Sequence, residues 1–253
     1  MLADVERGVA AGAVGGLAYG AYVAVVANPL VEHLEALAHH EGHGHGDGHG
    51  HSHGHSHDHA HAAVSELTTA VVSVGSGVLW GILLGAAFGV AFYLFEPALP
   101  GAGATKAVVL AGVGFFTVSA VPWLVLPPAA PGMDQALTTD LRIVLYAALM
   151  AVGALTAAVA LLTYRRLRPT RGTGASATVA LAPILLVGLL LALGTPTVVQ
   201  SAGVPADLVA SYQGVVVLSQ AALWALIAGS FGWLRTRTGG EPAVDVPDSA
   251  QTA

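Results

Sequence analysis

The sequence predicts an all-α, polytopic membrane protein with six transmembrane helices and both termini on the cytoplasmic side. Three observations carry that prediction. Only 9% of the 253 residues are charged and 55% are hydrophobic, where an ordinary soluble domain is roughly a quarter charged. The charges leave six long gaps, bounded by Arg7 and Glu32, Glu66 and Glu96, Lys106 and Asp134, Arg142 and Arg165, Arg171 and Asp207, and Asp207 and Arg235. Each gap exceeds the ~20 apolar residues that a helix needs to cross the hydrocarbon core. Finally, Lys and Arg are spread unevenly over alternate connections, which sets an orientation.

Trimmed to their apolar parts, the helices span 8–28, 71–95, 106–126, 142–164, 177–197 and 213–234. The chain then divides into residues 1–32 with the first helix, a His-rich loop over 33–66, a five-helix region over 67–237, and a disordered cytoplasmic tail over 238–253. An inside N-terminus leaves Arg7, Lys106, Arg165, Arg166, Arg168, Arg171, Arg235 and Arg237 in the cytoplasm and only Arg142 outside. Short loops rich in Lys and Arg are retained on the cytoplasmic side, so residues 33–61 and 128–140 are expected outside.

Within the first helix Gly8, Gly12, Gly16, Gly20 and Ala24 recur every four residues and lead to Asn28 and Glu32; in the second, Gly77, Gly81, Gly85 and Gly89 form a similar ridge. Small residues at this spacing let helix backbones approach closely in lipid. Either they serve packing alone, or the two ridges face each other and align a pathway ending at Asn28 and Glu32. Pro122 and Pro183 fall inside the third and fifth helices, where each frees a backbone carbonyl that another group must satisfy. Polar groups inside the spans are few: Asn28, Gln200, Gln213 and Gln220, with Glu96 at an edge. Intramembrane polar groups are costly and mark function, so their scarcity points to a pathway completed by a partner.

All twelve histidines lie between positions 33 and 61. His39, His40, His43, His45, His49, His51, His53, His55, His57, His59 and His61 are interleaved with Gly, Ser, Asp and Glu, a composition that packs no core and reads as a metal-binding tract. In an extended chain, imidazoles at every second position lie about 6.6 Å apart on one side. Neutral imidazole suits divalent zinc, nickel, copper and cobalt, and affinity order alone does not choose among them. Glu41, Asp47 and Asp58 add oxygen donors. No permanently bound cofactor is expected; the divalent ion is the ligand to be moved.

Several function classes are excluded. Cysteine is absent, which removes disulfide frameworks, thiol nucleophiles and Cys-based zinc or iron–sulfur sites. An intramembrane serine protease would need a base beside Ser76, and no histidine lies in a span. Gly101–Lys106 lacks the Gly-Lys-Ser/Thr ending of a phosphate loop. A net charge of −6 with one short basic cluster argues against nucleic acid as a partner. The chain is expected not to be an enzyme. The outer connections carry Glu32, Glu35, Glu41, Asp47, Asp58, Glu66, Asp134, Asp140 and Asp207, a field that attracts cations, although adaptation to a salty medium would leave the same acidic pattern.

Topology puts the end of the first helix and the connection between the third and fourth on one face. Asn28, Glu32 and Glu35 are therefore expected to form an outer vestibule with the turn from Pro127 to Asp140. Pro127, Pro128 and Pro131 stiffen that turn and remove donors, leaving carbonyl oxygens for a cation, and Gly132 permits a bend. Asp134 and Asp140 add negative charge, although Asp140 also suits a helix N-terminus beside Arg142.

The segment VPWLVLPPAAPGMDQALTTDLRIVLYAALM resembles the signature of the CbtA family, predicted cobalt transporter membrane subunits. In that family a helix ends in a Pro-Pro-x-x-Pro-Gly turn and an acidic stretch leads to an Arg opening the next helix. Asn28-Pro29, Glu32, Glu35 and a His-rich insertion before the second helix also resemble it. The resemblance implies cobalt uptake connected to cobalamin synthesis, with a small companion subunit of the CbtB type. The expected function is thus the membrane subunit of a divalent metal transporter, cobalt first, in the plasma membrane, with an external His-rich loop that captures the ion. The alternatives are a non-transporting buffer or sensor for zinc or nickel that presents ions to another carrier, and an assembly scaffold.

Overall fold

The computed structural model describes residues 1–33, 58–129, 134–194, 199–200 and 205–238, and gives the backbone alone at 58–66, 134–135 and 199–200. The expected tail beyond Thr238 lies outside the described residues. Five helices are long and apolar enough to cross a membrane: α1 over Leu2–His33, α2 over Asp58–Phe95, α3 over Ala104–Val125, α4 over Thr139–Gly194 and α5 over Ala206–Thr238. Helices are what such a sequence must form, because hydrocarbon offers no partner to an open backbone N–H or C=O. Charge agrees with the helix dipoles: Asp4, Asp140 and Asp207 sit in first turns and Arg235 and Arg237 in the last turn of α5.

Where six separate spans are expected, residues 142–164 and 177–197 fall together in α4 and the residues just beyond it. Helical backbone runs on through the arginine-rich connection and breaks only at Gly172, whose φ of 74° suits glycine. Two strands of two residues, β1 at Asp134–Gln135 and β2 at Val199–Gln200, pair antiparallel with Asp134 opposite Gln200. They flank α4 on either side in sequence. A straight helix of 56 residues would hold its ends about 84 Å apart, and the few linking residues cannot span that. α4 therefore folds back at Gly172 into two limbs, and Leu191 of the second packs on the cluster that Leu149 of the first forms with Val121 and Val125.

The first helix also exceeds its expected end. Pro29 lacks an N–H, and α1 carries on to His33 by widening one turn at Val23–Ala27, where the Asn28 N–H bonds back to the Val23 carbonyl. The same device recurs in α3: a wide turn at Phe116–Ala120 precedes Pro122, and the Val121 N–H bonds to the Phe116 carbonyl. Pro122 leaves the carbonyl four residues back, that of Val118, without its usual donor. The Tyr146 hydroxyl of α4 donates to it.

Along their shared length α1 and α2 run antiparallel with their glycine ridges in register. A Cβ on Gly85 would lie 2.7 Å from Cα of Gly12, and one on Gly12 2.9 Å from Cα of Gly85; Gly77 meets Gly20 and Gly81 meets Gly16 in the same way. The ridges do face each other, but the backbones touch and leave no pathway between them. On its other side α1 offers Gly15 to Leu223 and Ile227 of α5. The core between α1, α2, α3 and α5 is built on Phe88, Phe92, Trp224, Ile227 and Phe231, with the Phe92 and Phe231 rings 4.9 Å apart.

Candidate functional site

Asn28, Glu32, Pro127, Pro128, Asp134 and Asp140 all fall at one end of the helix bundle, the end that carries the β1–β2 ribbon. Asn28 lies on α1 and its amide nitrogen donates to Ser73 Oγ of α2 at 2.9 Å. That bond uses the nitrogen, so the amide oxygen is the atom a cation would meet. Glu32 is one turn further along and exposed. Pro127 and Pro128 follow α3 and are half-buried; Gln213 of α5 donates to the Pro128 carbonyl across 3.4 Å. That oxygen of the turn therefore already has a partner, though a distant one. Asp134 belongs to β1, and Asp140 is exposed in the first turn of α4, where a carboxylate stabilises the helix N-terminus. Asp140 and Arg142 make no ion pair among the described residues.

Glu35, Pro131 and Gly132 lie outside the described residues, and so do His39, His40, His43, His45, His49, His51, His53, His55 and His57. His59 and His61 lie on the first turn of α2, described by backbone alone. Among the described residues no three His, Asp or Glu side chains come together as a ligand set. The described part of this end can thus attract a cation by charge and offer single oxygens. The four or more donors that a divalent ion takes are not brought together among the described residues.

Sequence reasoning missed the part played by α5. Leu30 of α1 and Leu208, Val209 and Tyr212 of α5 belong to one apolar cluster, and Gln213 one residue on reaches Pro128, so the first turns of α5 take part at this end. The signal was present in Gln213 as an amide inside an apolar span. Gln220 of α5 donates to the Tyr19 hydroxyl of α1 at 3.3 Å. Asn28, Gln213 and Gln220 are thus all engaged in contacts between elements, and among the described residues they do not line a continuous polar route.

The opposite end gathers positive charge. Glu96, just past α2, pairs with Arg235 of α5 at 2.9 Å and with Lys106 of α3 at 3.6 Å. The Arg235 guanidinium lies 4.7 Å from the centre of the Phe92 ring, a cation–π contact. Arg7 pairs with Asp4 at 3.3 Å. Arg165 and Arg168, near the fold-back of α4, border the same pocket as Lys106. One end is therefore acidic and carries the ribbon, and the other is basic.

No curated protein and no solved structure matches the chain. A family model described as "Probable cobalt transporter subunit (CbtA)" matches residues 4–236, which takes in every helix, the ribbon, the histidine tract and both ends of the bundle. The chain belongs to the CbtA family.

Proposed function

We propose that this chain is the membrane subunit of a divalent metal transporter with cobalt as its first substrate. The single observation that carries the proposal is the family match over 4–236. In this reading the chain crosses the plasma membrane six times with both termini in the cytoplasm. The fold-back of α4 supports six crossings, since limbs of about 50 and 33 Å each exceed a hydrocarbon core of about 30 Å. The eight-to-one division of Lys and Arg, with the basic residues clustered at one end, supports the orientation.

The histidine tract then lies outside, captures the ion and delivers it to a vestibule of Asn28, Glu32, Glu35, Asp134 and Asp140. Because the in-span amides already hold helices together, a small companion subunit of the CbtB type supplies the rest of the path. Cell-associated cobalt, measured by elemental analysis under cobalt limitation, tests the function: loss of this gene should lower it, and Glu32→Gln and Asp134→Asn should raise the apparent Km of uptake. Unchanged uptake on deletion would overturn transport, and would favour the buffer or sensor reading that the engaged amides also fit.

A further inference from the structure

Beneath the basic end, the first limb of α4 stands off from α2 and α3 and leaves an apolar crevice of about 560 Å³, open on one side. Ala87 and Ala91 on α2 and Ala154 and Ala158 on α4 are among the small residues that line it. Along α4 it runs from Arg165 to Ala154, about 16 Å of helix rise. One leaflet of hydrocarbon is roughly 15 Å deep. At the Arg165 end it continues into a polar pocket of about 370 Å³ bordered by Lys106, Tyr164, Arg165 and Arg168. Arg165 and Arg168 are exposed and pair with no carboxylate among the described residues, while Glu96 is held by Arg235 as well as Lys106.

We propose that this crevice and its basic mouth bind one anionic phospholipid, with an acyl chain along Ala154 and Ala158 and the phosphate on Arg165, Arg168 and Lys106. An apolar cleft one leaflet long inside a bilayer fits an acyl chain by length and chemistry. Unpaired guanidinium groups at its mouth complement a phosphate, which they can meet through paired N–H donors, and basic pockets between transmembrane helices are known to hold such headgroups. The lipid would tie α4 to α2 and α3 where direct packing between them is missing.

The experiment uses the full-length protein purified in detergent and stripped of lipid by exhaustive exchange. It is titrated with dioleoylphosphatidylglycerol, with dioleoylphosphatidylcholine, or with glycerol 3-phosphate as the headgroup alone. Binding is read by thermal midpoint and by mass spectrometry of the intact complex. Phosphatidylglycerol is expected to bind at one per chain and, at a hundredfold excess over its Kd, to raise the midpoint by roughly 5–10 °C, with the other two moving it by under ~1 °C. Arg165→Gln with Arg168→Gln, both on exposed positions, should weaken binding at least tenfold, and Ala158→Phe should do so with the charges intact. Equal shifts from the two lipids, an equal shift from glycerol 3-phosphate, a polypeptide released from the site in place of lipid, or parental binding by the double arginine variant would each overturn the proposal.

Discussion

Pro122 shows how a single residue propagates through the bundle. Its missing N–H widens the preceding turn and leaves the Val118 carbonyl to be met from outside the helix, and Tyr146 meets it. The proline and its freed carbonyl were legible in the sequence. Tyr146 was not, because its partner is 28 residues away and depends on how α4 docks on α3. Tyr146→Phe should destabilise the protein by about 1 kcal/mol, in line with interhelical bonds in lipid. Pro122→Ala, which restores a backbone donor near the same oxygen, should reduce that cost when the two are combined; additive losses in a double-mutant cycle would refute the coupling. One turn earlier the Thr117 hydroxyl is buried with no hydrogen-bond partner among the described residues. Removing an unsatisfied polar group at nearly constant volume is favourable, so Thr117→Val should raise stability by about 1 kcal/mol. A lower unfolding midpoint for the valine variant would mean that the hydroxyl is satisfied.

Among the elements, the α1–α2 pair brings backbone directly against backbone. The four-residue spacing of glycines was plain in the sequence, and so was its use in packing. The register was not, because each ridge alone permits several neighbours; only the antiparallel pairing of Gly12 with Gly85 and Gly16 with Gly81 selects one. The contact is between backbones, so no side chain can yield to make room. Gly81→Ala places a methyl 2.7 Å from the Gly16 nitrogen and should cost about 1–3 kcal/mol, the range for overpacking. Gly75→Ala is the control, since nothing lies within 4 Å of a Cβ there, and it should be neutral or slightly stabilising through its better helix propensity. Equal effects at the two positions would show that propensity, and not contact, governs the ridge. The fold-back of α4 was legible only in part: the arginine-rich connection marked a turn, but the helix continues almost to Gly172 because none of the preceding residues demands a positive φ.

For the whole molecule, charge patterning foretold which residues would share an end, because alternate connections of a helical bundle return to the same side. What it could not foretell was which neighbour each would meet, such as the approach of Gln213 to Pro128. Orientation remains open to a direct measurement, made clean by the absence of cysteine. A single cysteine at Thr173, exposed beside the fold-back, should stay unlabelled by an impermeant maleimide in intact cells, and one at Ala136, exposed beside the ribbon, should label. The reverse pattern would invert the topology.

The histidine tract belongs to the same scale, because its two ends are anchored at different heights. α1 ends at His33, about 7 Å of helix rise beyond Asn28, whereas α2 begins at Asp58, about 22 Å of rise beyond Ser73, the residue that Asn28 touches. The second anchor thus stands about 15 Å beyond the first along the bundle. In the proposed function the tract serves to raise the local ion concentration, a contribution that should be greatest when metal is scarce. Replacing the histidines from His39 to His61 by serine keeps the loop length and should remove most cobalt binding at pH 7. It should lower uptake several-fold at limiting cobalt and leave the rate at saturating cobalt within about twofold, the pattern expected when only effective concentration is lost. Metal captured as proposed would bind neutral imidazole, with which protonation competes, so binding by the parent protein should fall as the pH drops below about 6. The serine variant should lack that pH step. Complete loss of uptake at saturating cobalt, with normal amounts of the protein in the membrane, would instead make the imidazoles part of the conduction path itself.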